Sequence, residues 1–132
     1  MTKNKILILD DDPETRRVLE LLLRAHGYET ALAFDAVSGV GKVRKEKPDL
    51  ILLDLGIPGG DGFLVMDRLK SIAPLAKIPI IVLSGRDPQA NQERALQAGA
   101  RAYLQKPPDH GELLAVIQKA LAESRGNIQE NA

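Results

Sequence analysis

Six residues with ionisable or hydroxyl side chains stand immediately past short apolar runs. Asp10, Asp11 and Asp12 follow Ile6–Leu9, Asp54 follows Leu50–Leu53, Ser84 follows Ile78–Leu83, and Lys106 comes just after Arg101–Leu104. Carboxylates about 4 Å apart repel by roughly 1–4 kcal/mol, depending on the local dielectric. Several gathered at one place therefore require a cation. An all-oxygen, cysteine-free donor set suits a hard ion that keeps some of its waters, so Mg²⁺ is the expected cofactor. Each residue also has a plainer role. Asp12 can cap a helix that starts at Pro13, Asp54 can start a loop, Ser84 can sit in a turn, and Lys106 can be surface charge. Their shared placement argues for one site.

The elements that would position them follow from periodicity. The three strong apolar runs do not alternate polar with apolar, so each reads as a strand buried on both faces, as in parallel sheets. Tyr28–Ala33 and Arg101–Leu104 are weaker strands. Val18, Leu19, Leu22 and Leu23 form an apolar helical stripe that Gly27 closes. Residues 35–46 predict a poorer helix, because Gly39 and Gly41 each cost about 1 kcal/mol relative to Ala. Residues 62–72 carry Phe63, Met66 and Leu69 on one face. Asp87 and Pro88 open a helix that reaches about Ala98 before Gly99. Asp109 with Glu112 resembles a capping box ahead of Leu113, Leu114, Ile117 and Leu121. Five strands alternating with five helices predict a doubly wound α/β sandwich. In that architecture ligands bind beyond the carboxyl ends of the strands, where all six residues fall.

Composition narrows the functions. The 132 residues hold 18 basic and 18 acidic side chains, 44% hydrophobic residues and no cysteine. One domain with a sizeable core fits that length. Zero net charge gives no long-range pull on nucleic acid or an anionic membrane. Thiolate catalysis, disulfides and Cys-based zinc sites are excluded. No apolar run approaches the roughly 20 residues that span a bilayer, and Ile6–Leu9 is far short of a signal-peptide core. A cytoplasmic location is expected.

Other features are decoys. Gly56–Gly62 and Ser38–Val43 both lack the Gly-Lys-Ser/Thr ending of a nucleotide loop. Lys42, Arg44, Lys45 and Lys47 read as a solvated helix face without interleaved aromatics. His26 and His110 have no ligand partner at metal spacing.

The strand-end stretches ILILDDD (Ile6–Asp12), PDLILLDLGIPGGDG (Pro48–Gly62), IIVLSG (Ile80–Gly85) and AGARAYLQKP (Ala98–Pro107) occur in that order. Together they resemble the receiver domain of bacterial two-component response regulators, over residues 5–123. The resemblance implies a flavodoxin-like (βα)5 sandwich with strand order 2-1-3-4-5. It also implies that Asp54 is a phosphoacceptor, served by a sensor histidine kinase or a histidine phosphotransfer protein. Asp11, Asp54 and the backbone carbonyl of Gly56 would ligate Mg²⁺, with Asp10 acting through a water. Lys106 would pair with Asp54 and then with a phosphoryl oxygen, and Ser84 would bond another. Ser84 would then vacate space for Tyr103 and reshape the face of the fourth helix, fifth strand and fifth helix. The bond before Pro107 would be cis. Such a switch is not a turnover enzyme, beyond accepting its own phosphoryl group and hydrolysing it.

Some positions depart from the family pattern. Pro108 stands where phenylalanine is usual, and Gly56 and Gly60 replace bulkier residues, which opens the loop after Asp54 to water. Arg101 and Ala102 replace the acidic pair of the winged-helix regulators. A haloacid-dehalogenase-type phosphatase fits less well, because Glu14 falls where its motif needs Thr or Val. A flavodoxin-like nucleotide binder would need a hydroxyl-rich loop where three acids stand. A receiver serving only as a docking scaffold is the remaining rival. The expected organisation is a receiver domain over residues 1–123 and a polar tail or linker stub over 124–132. The output partner or domain is left open, since the chain reads as either a stand-alone receiver or a fragment of a longer regulator or hybrid kinase.

Overall fold

The computed structural model describes residues 3–130. Its elements run β1 (Lys5–Leu9), α1 (Pro13–Ala25), β2 (Glu29–Ala33), α2 (Ala36–Glu46), β3 (Leu50–Leu53), α3 (Gly62–Lys70), β4 (Ile80–Ser84), α4 (Pro88–Gln97), β5 (Ala102–Gln105) and α5 (His110–Glu130). The five strands form one parallel sheet in the order β2-β1-β3-β4-β5. The sandwich and strand order expected from the sequence are both present. Among the described residues no helix is long and apolar enough to cross a membrane.

The strand runs lack polar alternation because both sheet faces are covered. Successive side chains point to opposite faces, so Leu7, Leu9, Ile51, Leu53, Ile80 and Val82 join the core beneath α2, α3 and α4. Ile6, Ile8, Leu50, Leu52, Ile81 and Leu83 join the core beneath α1 and α5. Gly39 has a packing reason: a Cβ there would lie 3.0 Å from Leu9 Cδ2, so glycine lets α2 sit close on β1. Gly41 has no such neighbour within 4 Å.

The helix starts follow their caps. Asp12 accepts from the Thr15 amide at 3.3 Å and its hydroxyl at 2.6 Å, with Pro13 in the first turn. Asp87 accepts from the Gln89 amide ahead of Pro88, and Asp109 accepts from the Glu112 amide at 2.8 Å. Gly27 and Gly99 close α1 and α4 at φ of 88° and 111°, a region in which glycine alone is unstrained. Element ends shift by about two residues, with β4 at Ile80–Ser84 and α3 ending at Lys70, and two larger details differ from the sequence expectation. Val18 is 49% exposed, because Leu19 and Leu23 take the buried centre of the α1 stripe and leave Val18 on its flank. The α5 backbone is helical to Glu130, past the expected boundary at Glu123. A polar stretch without proline is compatible with helix.

Candidate functional site

Parallel register brings the strand ends to one edge. Leu9 pairs with Leu53, and the Asp54 amide donates to the Leu9 carbonyl at 3.0 Å, which sets Asp54 beside Asp10. Ser84 pairs with Gln105, and the Lys106 amide donates to the Ser84 carbonyl at 2.8 Å. Residues far apart in sequence thus share the carboxyl edge of β1, β3, β4 and β5.

The ammonium of Lys106 lies 2.6 Å from Asp10 Oδ2 and 3.3 Å from Asp54 Oδ2. The resemblance pairs Lys106 with Asp54; in the structure Asp10 is the nearer partner and Asp54 the second. Each carboxylate gives its other oxygen to a backbone amide, Asp10 to Asp12 at 2.9 Å and Asp54 to Gly56 at 3.2 Å. Asp10 and Asp54 are buried, at 3% and 9% exposure. Burial pushes the Asp10 carboxyl above its ordinary range, against the opposing pull of Lys106 and the Asp12 amide. Burial also works against the Lys106 charge, but Asp10 and Asp54 together hold its pKa above the ordinary lysine value. Asp12, bonded to Thr15, titrates below the usual carboxylate range, and its role is the cap.

Asp11 is exposed and completes the cluster: carboxylate oxygens of Asp10, Asp11 and Asp54 all lie within 4.8 Å of one another. Three carboxylates against one ammonium leave two negative charges on a set of hard oxygen donors. That charge and donor type fit a divalent ion such as Mg²⁺.

On the β4 side Ser84 is buried and its hydroxyl oxygen accepts from the Arg86 amide at 3.1 Å. Tyr103 is 8% exposed, and its hydroxyl donates to the Arg86 carbonyl at 2.8 Å. Burial raises the pKa of its phenol. The resemblance has Tyr103 turning inward as Ser84 moves; here the ring is already inward. The Lys106–Pro107 peptide is cis, as the resemblance implies.

Three residues at the site edge escaped the sequence analysis. Arg16 donates from Nη1 to the Asp10 carbonyl at 2.9 Å, with its guanidinium 4.1 Å from the centre of the Phe34 ring. Asp61 caps α3, accepting from the Phe63 and Leu64 amides at 2.9 and 3.3 Å. Arg86 places Nη1 3.7 Å from Asp61 Oδ2. Only Asp61 carried a signal, as an acid immediately ahead of a helix.

Comparison with known proteins agrees with this geometry. Residues 6–118 match the response regulator receiver domain family. Protein PilH of Pseudomonas aeruginosa is 36% identical over 118 residues, covering 89% of this chain and 98% of PilH. The KDP operon transcriptional regulatory protein KdpE of Escherichia coli is 38% identical over 116 residues, covering 88% of this chain. The chain spans nearly all of PilH but 50% of KdpE, and 27% of the transcriptional regulatory protein ZraR of Salmonella typhimurium. Among solved structures, a CheY-like receiver domain protein from Methanospirillum hungatei superposes with a TM-score of 0.87 at 29% identity, covering 96% of this chain and 99% of that one. The receiver domain of the sensor histidine kinase PA1611 from Pseudomonas aeruginosa has a TM-score of 0.84 at 30% identity, covering 92% of this chain and 99% of that one. That structure has a magnesium ion coordinated in its active-site cleft.

Proposed function

Because this chain belongs to the response regulator receiver family, the phosphorylation-dependent signalling domains of two-component systems, we propose that Asp54 is its phosphoacceptor. The observation that carries this reading is the pair of contacts from one half-buried ammonium, Lys106, to the buried carboxylates of Asp10 and Asp54 at the carboxyl edge of the sheet. Asp54 Oδ attacks the phosphorus of a phosphohistidine on a sensor histidine kinase or histidine phosphotransfer protein. The new P–O bond forms as the P–N bond breaks, and the nitrogen leaves with the electron pair to regain a proton from solvent. Such a transfer needs little covalent help and much charge neutralisation. Lys106 neutralises one equatorial oxygen, and the Ser84 hydroxyl donates to another. Asp11, Asp54, the Gly56 carbonyl and, through a water, Asp10 would hold Mg²⁺. When bound, that ion neutralises phosphoryl charge and offsets the repulsion among the three acids.

The domain acts as a switch rather than a turnover enzyme; its own chemistry is limited to accepting the group and hydrolysing the acyl phosphate. The exposed Gly56 beside Asp54 leaves a phosphoryl group there more open to water, which favours hydrolysis. Phosphorylation shifts the α4–β5–α5 face through Ser84 and Tyr103, and that face controls an output partner or domain. Residues 1–123 form the receiver unit, and residues 124–132 are a polar extension or linker. The proposed setting is cytoplasmic, with no direct contact to nucleic acid or membrane. Acetyl phosphate with Mg²⁺ should add one phosphoryl group by intact mass, and the adduct should vanish in Asp54→Asn. Failure to label with acetyl phosphate and with a cognate kinase, together with no beryllofluoride binding, would leave the docking scaffold as the reading.

A further inference from the structure

Arg86 joins three parts of the switch through three different groups. Its amide donates to Ser84 Oγ at 3.1 Å, and its carbonyl accepts from the Tyr103 hydroxyl at 2.8 Å. Its guanidinium reaches Asp61, the N-cap of α3, at the far side of the loop that follows Asp54. A serine hydroxyl that accepts through its oxygen still has its proton to give. The Arg86 amide therefore fixes a Ser84 lone pair and leaves the O–H, which bonds the Tyr103 hydroxyl here, able to turn toward a group on Asp54. The same loop position presents the carbonyl that keeps Tyr103 inward. A second contact reinforces the link between α3 and α4: the Arg94 guanidinium lies 3.8 Å from the centre of the Phe63 ring, within the first turn of α3.

We infer that Arg86 is a positioning residue, tethered by its side chain to Asp61. The tether holds the β4–α4 loop where the Ser84 hydroxyl is aimed at the acceptor and Tyr103 is inward. Both hydrogen bonds to Ser84 and Tyr103 use the main chain of Arg86, so truncating its side chain removes the tether alone. The rate component of this inference rests on Asp54 being the acceptor; the Tyr103 component does not.

Fluorotyrosine labelling reports on only two sites, Tyr28 and Tyr103. In protein without phosphodonor, Arg86→Ala and Asp61→Asn should each move the Tyr103 fluorine resonance toward a solvent-exposed value, while Tyr28 stays put. Asn retains the oxygen that caps α3, so helix content should hold. Labelling by acetyl phosphate with Mg²⁺ should slow by about two- to fivefold in each, the range expected for a half-exposed ion pair. The double variant should be no slower than either single one, because both remove the same contact. Arg86→Lys should restore most of both readouts. An unchanged Tyr103 resonance in both single variants, or additive effects in the double, would overturn the tether. If wild-type protein takes no phosphoryl group, the acceptor reading fails, and the Tyr103 resonance still decides the tether by itself.

Discussion

The two sides of Asp54 are built from different kinds of contact. Toward β1 and β5 the neighbours are a buried carboxylate and an ammonium 2.6 Å apart, one just past the inner strand β1 and the other just past the edge strand β5. Toward β4 and α3 the neighbours are a serine hydroxyl on a backbone amide and a half-exposed ion pair at 3.7 Å. Buried charge is costly to rearrange, because separating the partners leaves each unpaired in a poor solvent. Exposed pairs contribute little and exchange readily with water. The first side is therefore fixed chemistry, and the second is an adjustable response. A switch needs both, since a ligand shifts an equilibrium only where two arrangements lie close in free energy.

That contrast can be broken from the rigid side first. Lys106→Met leaves Asp10 and Asp54 facing each other without an ammonium, and should cost about 2–4 kcal/mol in a urea melt. The same substitution in an Asp10→Asn background should cost much less, and an equal cost in both backgrounds would show that packing, not charge, is lost. Next in size is Gly62→Ala. A Cβ there would lie 2.8 Å from Leu55 Cα and 2.9 Å from the Asp54 carbonyl oxygen, both backbone atoms. The loop around Asp54 must move, at about 1–3 kcal/mol, and phosphoryl labelling should fall with it. Mg²⁺ at about ten times its dissociation constant should add about 1.4 kcal/mol, raising the melting temperature by about 3–6 °C, with a smaller rise in Asp54→Asn. The smallest effect lies away from the site. Gly41→Ala, with open space around its Cβ, should stabilise the protein by about 0.5–1 kcal/mol and leave labelling unchanged.

The rigid side was also the legible one. A strand buried on both faces leaves a continuous apolar run, and the first polar residue after it marks the sheet edge. Asp10 and Asp54 announce themselves this way, with Lys106 one residue further on, and Ser84 is legible by the same rule on the other side. Cap chemistry was equally readable at Asp12 and Asp87, because the signal is local. Beyond Ser84 the responsive side left no comparable trace. Arg86 and Asp61 lie on separate loops, and nothing in their spacing marks them as partners. Which carboxylate lies nearer Lys106 depends on side-chain reach across β1 and β3, which periodicity does not encode. The inward Tyr103 ring is a tertiary outcome of the same kind, set by a carbonyl on a neighbouring loop. Val18 shows the limit of helical pattern: it belongs to the apolar stripe, yet it sits on the flank that α5 and the sheet leave open.

Asp54 takes the phosphoryl group because the Asp10–Lys106 pair beside it is arranged to neutralise one. The most direct measurement is borohydride trapping after acetyl phosphate and Mg²⁺ treatment, followed by peptide mapping, since borohydride reduces an aspartyl phosphate to homoserine. Homoserine is expected at position 54 alone, dependent on Mg²⁺ and absent from Lys106→Met under the same conditions. Homoserine at Asp10 or Asp11, or labelling at Asp54 that persists without Lys106, would contradict it.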